Sequence, residues 1–165
     1  MIKSMKTLLI LVLVIPFVSL TNAEATQPAT TPIDQLLNTF HQSAATANGE
    51  VYFSLFHRNG VFIGTDAGER WTVNQFQEYA QPYFSQGKGW TYTASTRHID
   101  ISEDGQFAWF DELLWNEKYG QCRGSGALIK TPTGWKILQY HLTFPIPNTL
   151  AKELTEKIKA HITKE

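Results

Sequence analysis

The stretch that decides the fold runs from Trp90 to Phe144: WTYTASTRHIDISEDGQFAWFDELLWNEKYGQCRGSGALIKTPTGWKILQYHLTF. Upstream of it apolar residues recur at helical spacing; within it they alternate. Trp90–Ile101 is a β-branched and aromatic run closed by Asp104-Gly105, a hairpin signal. Phe107–Asn116 reads as a second strand and Gln121–Thr131 as a third, and Pro132-Thr133-Gly134 turns the chain into a fourth, Trp135–Phe144. Long strands joined by short links form an antiparallel meander. Pro145 and Pro147 end it.

Working back from the strands, Thr72 with Gln75 forms a capping box, and Phe76, Tyr79, Ala80, Tyr83 and Phe84 give that helix an apolar face. Pro82 should bend or end it. Arg58-Asn59-Gly60 reads as a turn into a short strand, Val61–Ile63, and Val51–Phe56 as a short helix or turn. Thr31 as N-cap, Pro32 and Asp34 open a first helix, along which Ile33, Leu36, Leu37, Phe40, Ala44 and Ala47 make one stripe. Beyond the strands, Asn148 caps a tail helix striped by Leu150, Leu154, Ile158 and Ile162, which needs either this sheet or another subunit to lie on. Helices on one face of a curved antiparallel sheet make an α+β domain. A long, twisted sheet bends, and roofing it with helices leaves a cone-shaped space.

The 165 residues suit one domain; 14 basic against 15 acidic residues exclude the basic excess of a phosphate-tracking protein, so nucleic acid is not an expected partner. Lys3 and Lys6, the apolar run Leu8–Leu20 and Thr21-Asn22-Ala23 have the build of a secretory signal peptide cleaved after Ala23. The run is too short for a permanent membrane anchor. A periplasmic or secreted protein is the expectation, with residues 1–23 as leader, 24–31 as a loose lead, 32–147 as the domain and 148–165 as the tail helix. Cys122 is the only cysteine, so no internal disulfide forms; it reads as a small buried hydrophobe.

Four segments in this order, Gly64-Thr65-Asp66-Ala67-Gly68-Glu69-Arg70-Trp71, Ala108-Trp109-Phe110-Asp111-Glu112, Arg123-Gly124-Ser125-Gly126 and Gly134-Trp135-Lys136-Ile137 running on to Tyr140-His141-Leu142-Thr143-Phe144-Pro145, resemble the nuclear transport factor 2-like superfamily in its SnoaL-like, exported bacterial branch. The resemblance spans roughly Ile33 to Leu150. It implies a cystatin-like cone-shaped α+β barrel, a pocket between sheet and helices, and a homodimer through the outer sheet face. It implies no particular reaction, since members include isomerases, cyclases, dehydratases and binding or docking modules.

The polar residues leave alternatives open. Asp111 shares a strand face with Trp109, Leu113 and Trp115; desolvated there it would be a general base, while paired with Arg97 or Arg123 it would hold the sheet together. Glu112 points the other way, so only one of the two faces the cavity. His141 could complete an acid–base pair with Asp111 or be a satisfied core histidine, depending on cross-strand register. Arg123 beside Gly124-Ser125-Gly126 could hold a ligand oxygen or pair with a carboxylate. Asp66, Glu69, Arg70 and Trp71 lie in the loop before the third helix, near the expected pocket mouth; Asp66 could face that mouth or fix its loop, and Trp71 is a candidate wall residue. Tyr83, Arg97, Trp109, Trp115 and Gln139 complete the expected pocket. His98 and Asp100 are too few for zinc, and no nucleotide or cofactor motif is present, so no metal and no cofactor is expected. The reading is a small-molecule-binding domain for an apolar or aromatic ligand. Its alternatives are a cofactor-independent isomerase, cyclase or dehydratase using Asp111 or His141 as base, and a dimeric scaffold with a closed pocket.

Overall fold

A computed structural model describes residues 28–163. The leader expected over 1–23, its cleavage point and residues 24–27 of the lead lie outside the described residues.

Helix α1 (Thr31–Ala45) carries Pro32 and Asp34 in its first turn; its cap is Thr30, one residue earlier than expected, with no side-chain bond. Ile33, Leu37, Phe40 and Ala44 are buried along one stripe. In α2 (Gly49–Ser54) the Asn48 side chain caps by accepting from the Val51 amide at 3.2 Å. The capping box forms at α3 (Val73–Phe84): the Gln75 amide donates to the Thr72 hydroxyl at 3.4 Å, and the Thr72 amide donates to Gln75 Oε1 at 2.9 Å. That helix stops two residues after Pro82.

The strands β1 (Phe56–Ile63), β2 (Arg70–Thr72), β3 (Thr93–Ile101), β4 (Phe107–Asn116), β5 (Gly120–Thr131) and β6 (Gly134–Thr143) form one sheet in the order β2-β1-β6-β5-β4-β3. β3 to β6 are the antiparallel meander that alternation dictates. The sheet as a whole is mixed, because β1 runs parallel to β6. β1 also begins earlier than expected and runs through Arg58-Asn59-Gly60. A register shift between Phe56 and Val61 absorbs those turn-forming residues. Gly60 passes so close to β6 that a Cβ there would lie 2.8 Å from the Ile137 carbonyl oxygen. β2 pairs antiparallel with β1 where a loop was expected.

Register decides which face is inside. Glu112 stands opposite Gly124, which stands opposite Leu142; Phe110, Gly126 and Tyr140 form the next inward row. Ala108, Phe110, Glu112 and Leu114 are buried under the helices, with Cys122, Leu128, Ile137 and Tyr140. Cys122 is the small buried residue it was read as, and burial pushes its thiol pKa up. The Trp109–Asp111–Trp115 side of β4 looks outward, Trp109 and Trp115 being 52% and 53% exposed. The Trp-rich face was expected to line the cavity, so this is a reversal. The inward face of β5 is small where the side chains and backbone of β4 and β6 crowd it. A Cβ on Gly124 would overlap the Tyr140 hydroxyl, and one on Gly126 would overlap the Gln139 carbonyl.

Helix α4 (Asn148–Ile162) is capped by Pro147 rather than Asn148 and has no buried residue. Leu150, Ile158 and Ile162 stay exposed, so this chain's own sheet does not cover its stripe.

Gly124→Ala should destabilise the fold by about 1–3 kcal/mol through overpacking. Urea unfolding checks this, and an unchanged midpoint would refute the close approach of β6 to Gly124.

Candidate functional site

Between the end of β1, α3 and the ends of the meander lies a pocket of about 290 Å³. β1 and the loop after it supply Phe62, Gly64, Thr65 and Glu69; β2 supplies Trp71, and α3 supplies Phe76 and Tyr79. Trp90 and Tyr92 come from the approach to β3, Tyr119 from the turn after β4, and Leu142 and Phe144 from the end of β6. The rings are mutually supported. Phe62 stacks on Phe76 at 3.9 Å, Trp71 lies over Phe76 at 5.7 Å and over Tyr79 at 5.0 Å, all near-parallel. Tyr119 and Phe144 make a second pair at 4.9 Å. Such contacts hold ring planes in place beyond the area they bury.

Glu69 is the charged residue among the lining groups. Its carboxylate lies directly over Gly64, where any Cβ would collide with it, and its Oε2 accepts from the Asp66 amide at 3.1 Å. Burial raises the Tyr79 hydroxyl pKa, helped by Tyr83, Glu69 and Tyr119 nearby. Burial, with Cys122 and Tyr119, pushes Tyr92 up to about 12. Both hydroxyls are therefore neutral donors at physiological pH.

The acid–base residues of the molecule meet elsewhere. Glu112 is fully buried. Its Oε1 contacts His41 Nε2 at 2.7 Å and accepts from the Tyr140 hydroxyl at 2.9 Å. Its Oε2 accepts from Arg97 Nε at 2.8 Å, and Arg97 Nη2 is 2.8 Å from the same oxygen without an N–H aimed at it. Arg97 Nη1 reaches back to α1, donating to Asp34 Oδ1 at 2.6 Å and to Asn38 Oδ1 at 2.9 Å. Burial alone would raise the Glu112 carboxyl pKa, but His41 and Arg97 outweigh it and hold it below its ordinary value. Tyr140 is driven well above the usual tyrosine range by burial and by Glu112 beside it. Neither Glu112 nor Tyr140 lines the pocket.

Of the residues singled out from sequence, Trp71 lines the pocket. Asp66 fixes its loop by accepting from the Gly68 amide at 2.9 Å. Tyr83 stands just outside, 5.8 Å from Tyr79 ring to ring. Arg97 faces inward but serves Glu112, so it was placed on the correct face and in the wrong site. Asp111 and His141 do share a face, yet it is the outer one, and Ser125 stands between them in register. That puts them two strand spacings, roughly 10 Å, apart, which rules out a direct dyad. Asp111 instead lies 3.4 Å from His98, both exposed. Trp109, Trp115, Arg123 and Gln139 also look outward, because the bulge at Leu138 and the register of β4 set their side. Among the described residues no three His, Cys, Asp or Glu side chains converge as a metal site would need. Glu69, placed near the pocket mouth with its loop, does line the pocket, whereas Tyr79, Tyr92 and Tyr119 were missed as pocket residues, since they reach it from three separate segments.

A curved sheet of six strands backed by helices defines the cystatin-like, nuclear transport factor 2-like class. A family model of the SnoaL-like domain matches residues 33–147, and the chain belongs to that family. A nuclear transport factor 2-like protein of unknown function from Pseudomonas putida is similar at 12% identity, over 73% of this chain and 89% of that one, with a TM-score of 0.61. So are a candidate aromatic ring hydroxylase from Novosphingobium aromaticivorans (16% identity, 72% and 90% covered, TM-score 0.60) and a candidate dehydratase from Streptomyces avermitilis (12%, 72% and 97%, 0.56). At these identities the likeness is one of fold. No curated protein matches the sequence.

Since the folded Glu112 pKa lies below its unfolded value, its contribution to stability is full above the unfolded pKa and is lost as pH falls through the folded one. Glu112→Gln should therefore be less stable at neutral pH and lose less on acidification, which urea midpoints at about pH 7 and about pH 3.5 would measure. Arg97→Ala should cost about 3–5 kcal/mol at neutral pH, because it leaves a buried carboxylate short of its cation.

Proposed function

We propose that the chain is an exported SnoaL-like small-molecule-binding domain whose ligand sits in the aromatic pocket beside Trp71. The observation that carries this reading is a separation. The pocket is walled by stacked rings, while the buried acid–base residues are sealed off with both Glu112 oxygens occupied. A general base must reach the proton it removes. The bases proposed from sequence, Asp111 and His141, stand on the outer face, so proton abstraction in this pocket has lost the residues it relied on. Two of the similar structures carry candidate enzyme names, and those names stay with those proteins.

Export is supported by the residues of positions 1–23, and a homodimer by the outward Phe107, Trp109 and Trp115 on one sheet face. Light scattering should give twice the protomer mass, falling to one with Trp109→Glu. Protein recovered from its own host should begin at Glu24.

Tryptophan fluorescence and thermal shift across aromatic and steroid-like compounds test the binding reading. At least one compound should bind, Trp71→Ala should weaken it about tenfold or more, and Asp111→Asn and His141→Gln should leave it unchanged. A panel without a single binder, or binding lost with Asp111→Asn alone, overturns the reading.

A further inference from the structure

Seating any apolar ligand in the pocket strips water from Glu69. Its Oε2 takes the Asp66 amide, and among the described residues its Oε1 takes no protein donor and no lysine, arginine or histidine pairs with it. A carboxylate covered without a counter-charge is costly. The lining carries no cationic side chain, so the counter-charge has to arrive with the ligand. The walls suit such a ligand independently. Trp71, Tyr79 and Tyr119 line the space, the two tyrosines about half exposed, and a ring face attracts a cation. One ring of the set already does so within the chain, with Lys118 Nζ 4.7 Å from the Tyr119 centroid.

We propose that the pocket is an aromatic cage for a small organic cation, an alkylated or quaternary amine, with Glu69 supplying the opposite charge. The proposal rests on the binding reading above and narrows it to one ligand class. A volume of about 290 Å³ limits that ligand to a compact one. An anion would be repelled by Glu69 and find no basic partner in the lining. A neutral ligand would bury Glu69 with nothing to offset its desolvation. Gly64 belongs to the device, since its missing side chain is what lets the carboxylate lie in the pocket wall.

The test is titration calorimetry of the full chain with three probes of one shape. These are choline, its neutral isostere 3,3-dimethylbutan-1-ol, and the anion 3,3-dimethylbutanoate. Choline should bind about tenfold tighter than the isostere, and the anion not measurably. Glu69→Gln keeps the acceptor for the Asp66 amide; it should raise the choline Kd about tenfold and the isostere's less than about twofold. The wild-type comparison stands even where that variant melts early. Equal or tighter binding of the isostere or the anion overturns the cation proposal and leaves the binding reading intact. No binding by any of the three also overturns it, and the aromatic and steroid-like panel then decides the binding reading separately.

Discussion

One buried carboxylate ties the helical layer to the sheet. Glu112 sits in the middle of β4 with α1 above it, and it is satisfied from both layers at once, by His41 from α1 and by Arg97 and Tyr140 from β3 and β6. A carboxylate taken out of water costs several kcal/mol unless geometry returns it, and here each oxygen has short partners. Arg97 then carries the connection back to Asp34 and Asn38 on α1. Moving α1 by a single turn would break its three links to the network together, His41 to Glu112 and Arg97 to Asp34 and Asn38, so the network fixes one docking of helix on sheet. Nonspecific apolar packing would tolerate several.

The same network explains why its chemistry is unavailable for catalysis. A general base needs a free lone pair within reach of a substrate proton. Glu112 has neither exposure nor an idle oxygen, and Phe62 stacks against Tyr140 at 5.7 Å between the network and the pocket. Phe40 and Tyr52 stack at 4.6 Å and continue the ring packing away from the pocket. The rings thus separate the buried Glu112 network from the aromatic pocket.

Much of this was legible in the sequence and some was not, for identifiable reasons. The limits of β4 follow from alternation alone, because Phe107–Asn116 keeps period two throughout. Alternation also separated Asp111 from Glu112, but it could not say which faces inward. That choice fell on the side with more tryptophan, whereas the inner side is the one on which β5 leaves room for Glu112, Phe110 and Tyr140. The usable signal was Gly124 and Gly126, which share a face with Cys122 and Leu128 on β5 and mark where something presses close. His41 was also within reach. It follows Leu37 by four residues, so a polar group lay beside the apolar stripe. His141 was harder. The bulge at Leu138 inverts the parity of β6 between Ile137 and Gln139, and no residue type announces it.

The pocket was nearly illegible because it belongs to no single element. Trp71 was foreseeable as a large ring beside a helix cap, but Glu69 gains its meaning only from Gly64, five residues earlier, and from rings that arrive from α3, the approach to β3 and the end of β6. Strand ends converge at one end of a curved sheet, and residues that lie there are near in space whatever their separation along the chain. The family shares the scaffold and leaves these ends free to vary. The contrast within this chain is electrostatic: its interior acid is paired by its own side chains, whereas among the described residues the acid at its pocket has no cationic partner. A fold that pairs one carboxylate so completely and leaves the other facing a set of aromatic rings has kept that second charge for something outside itself.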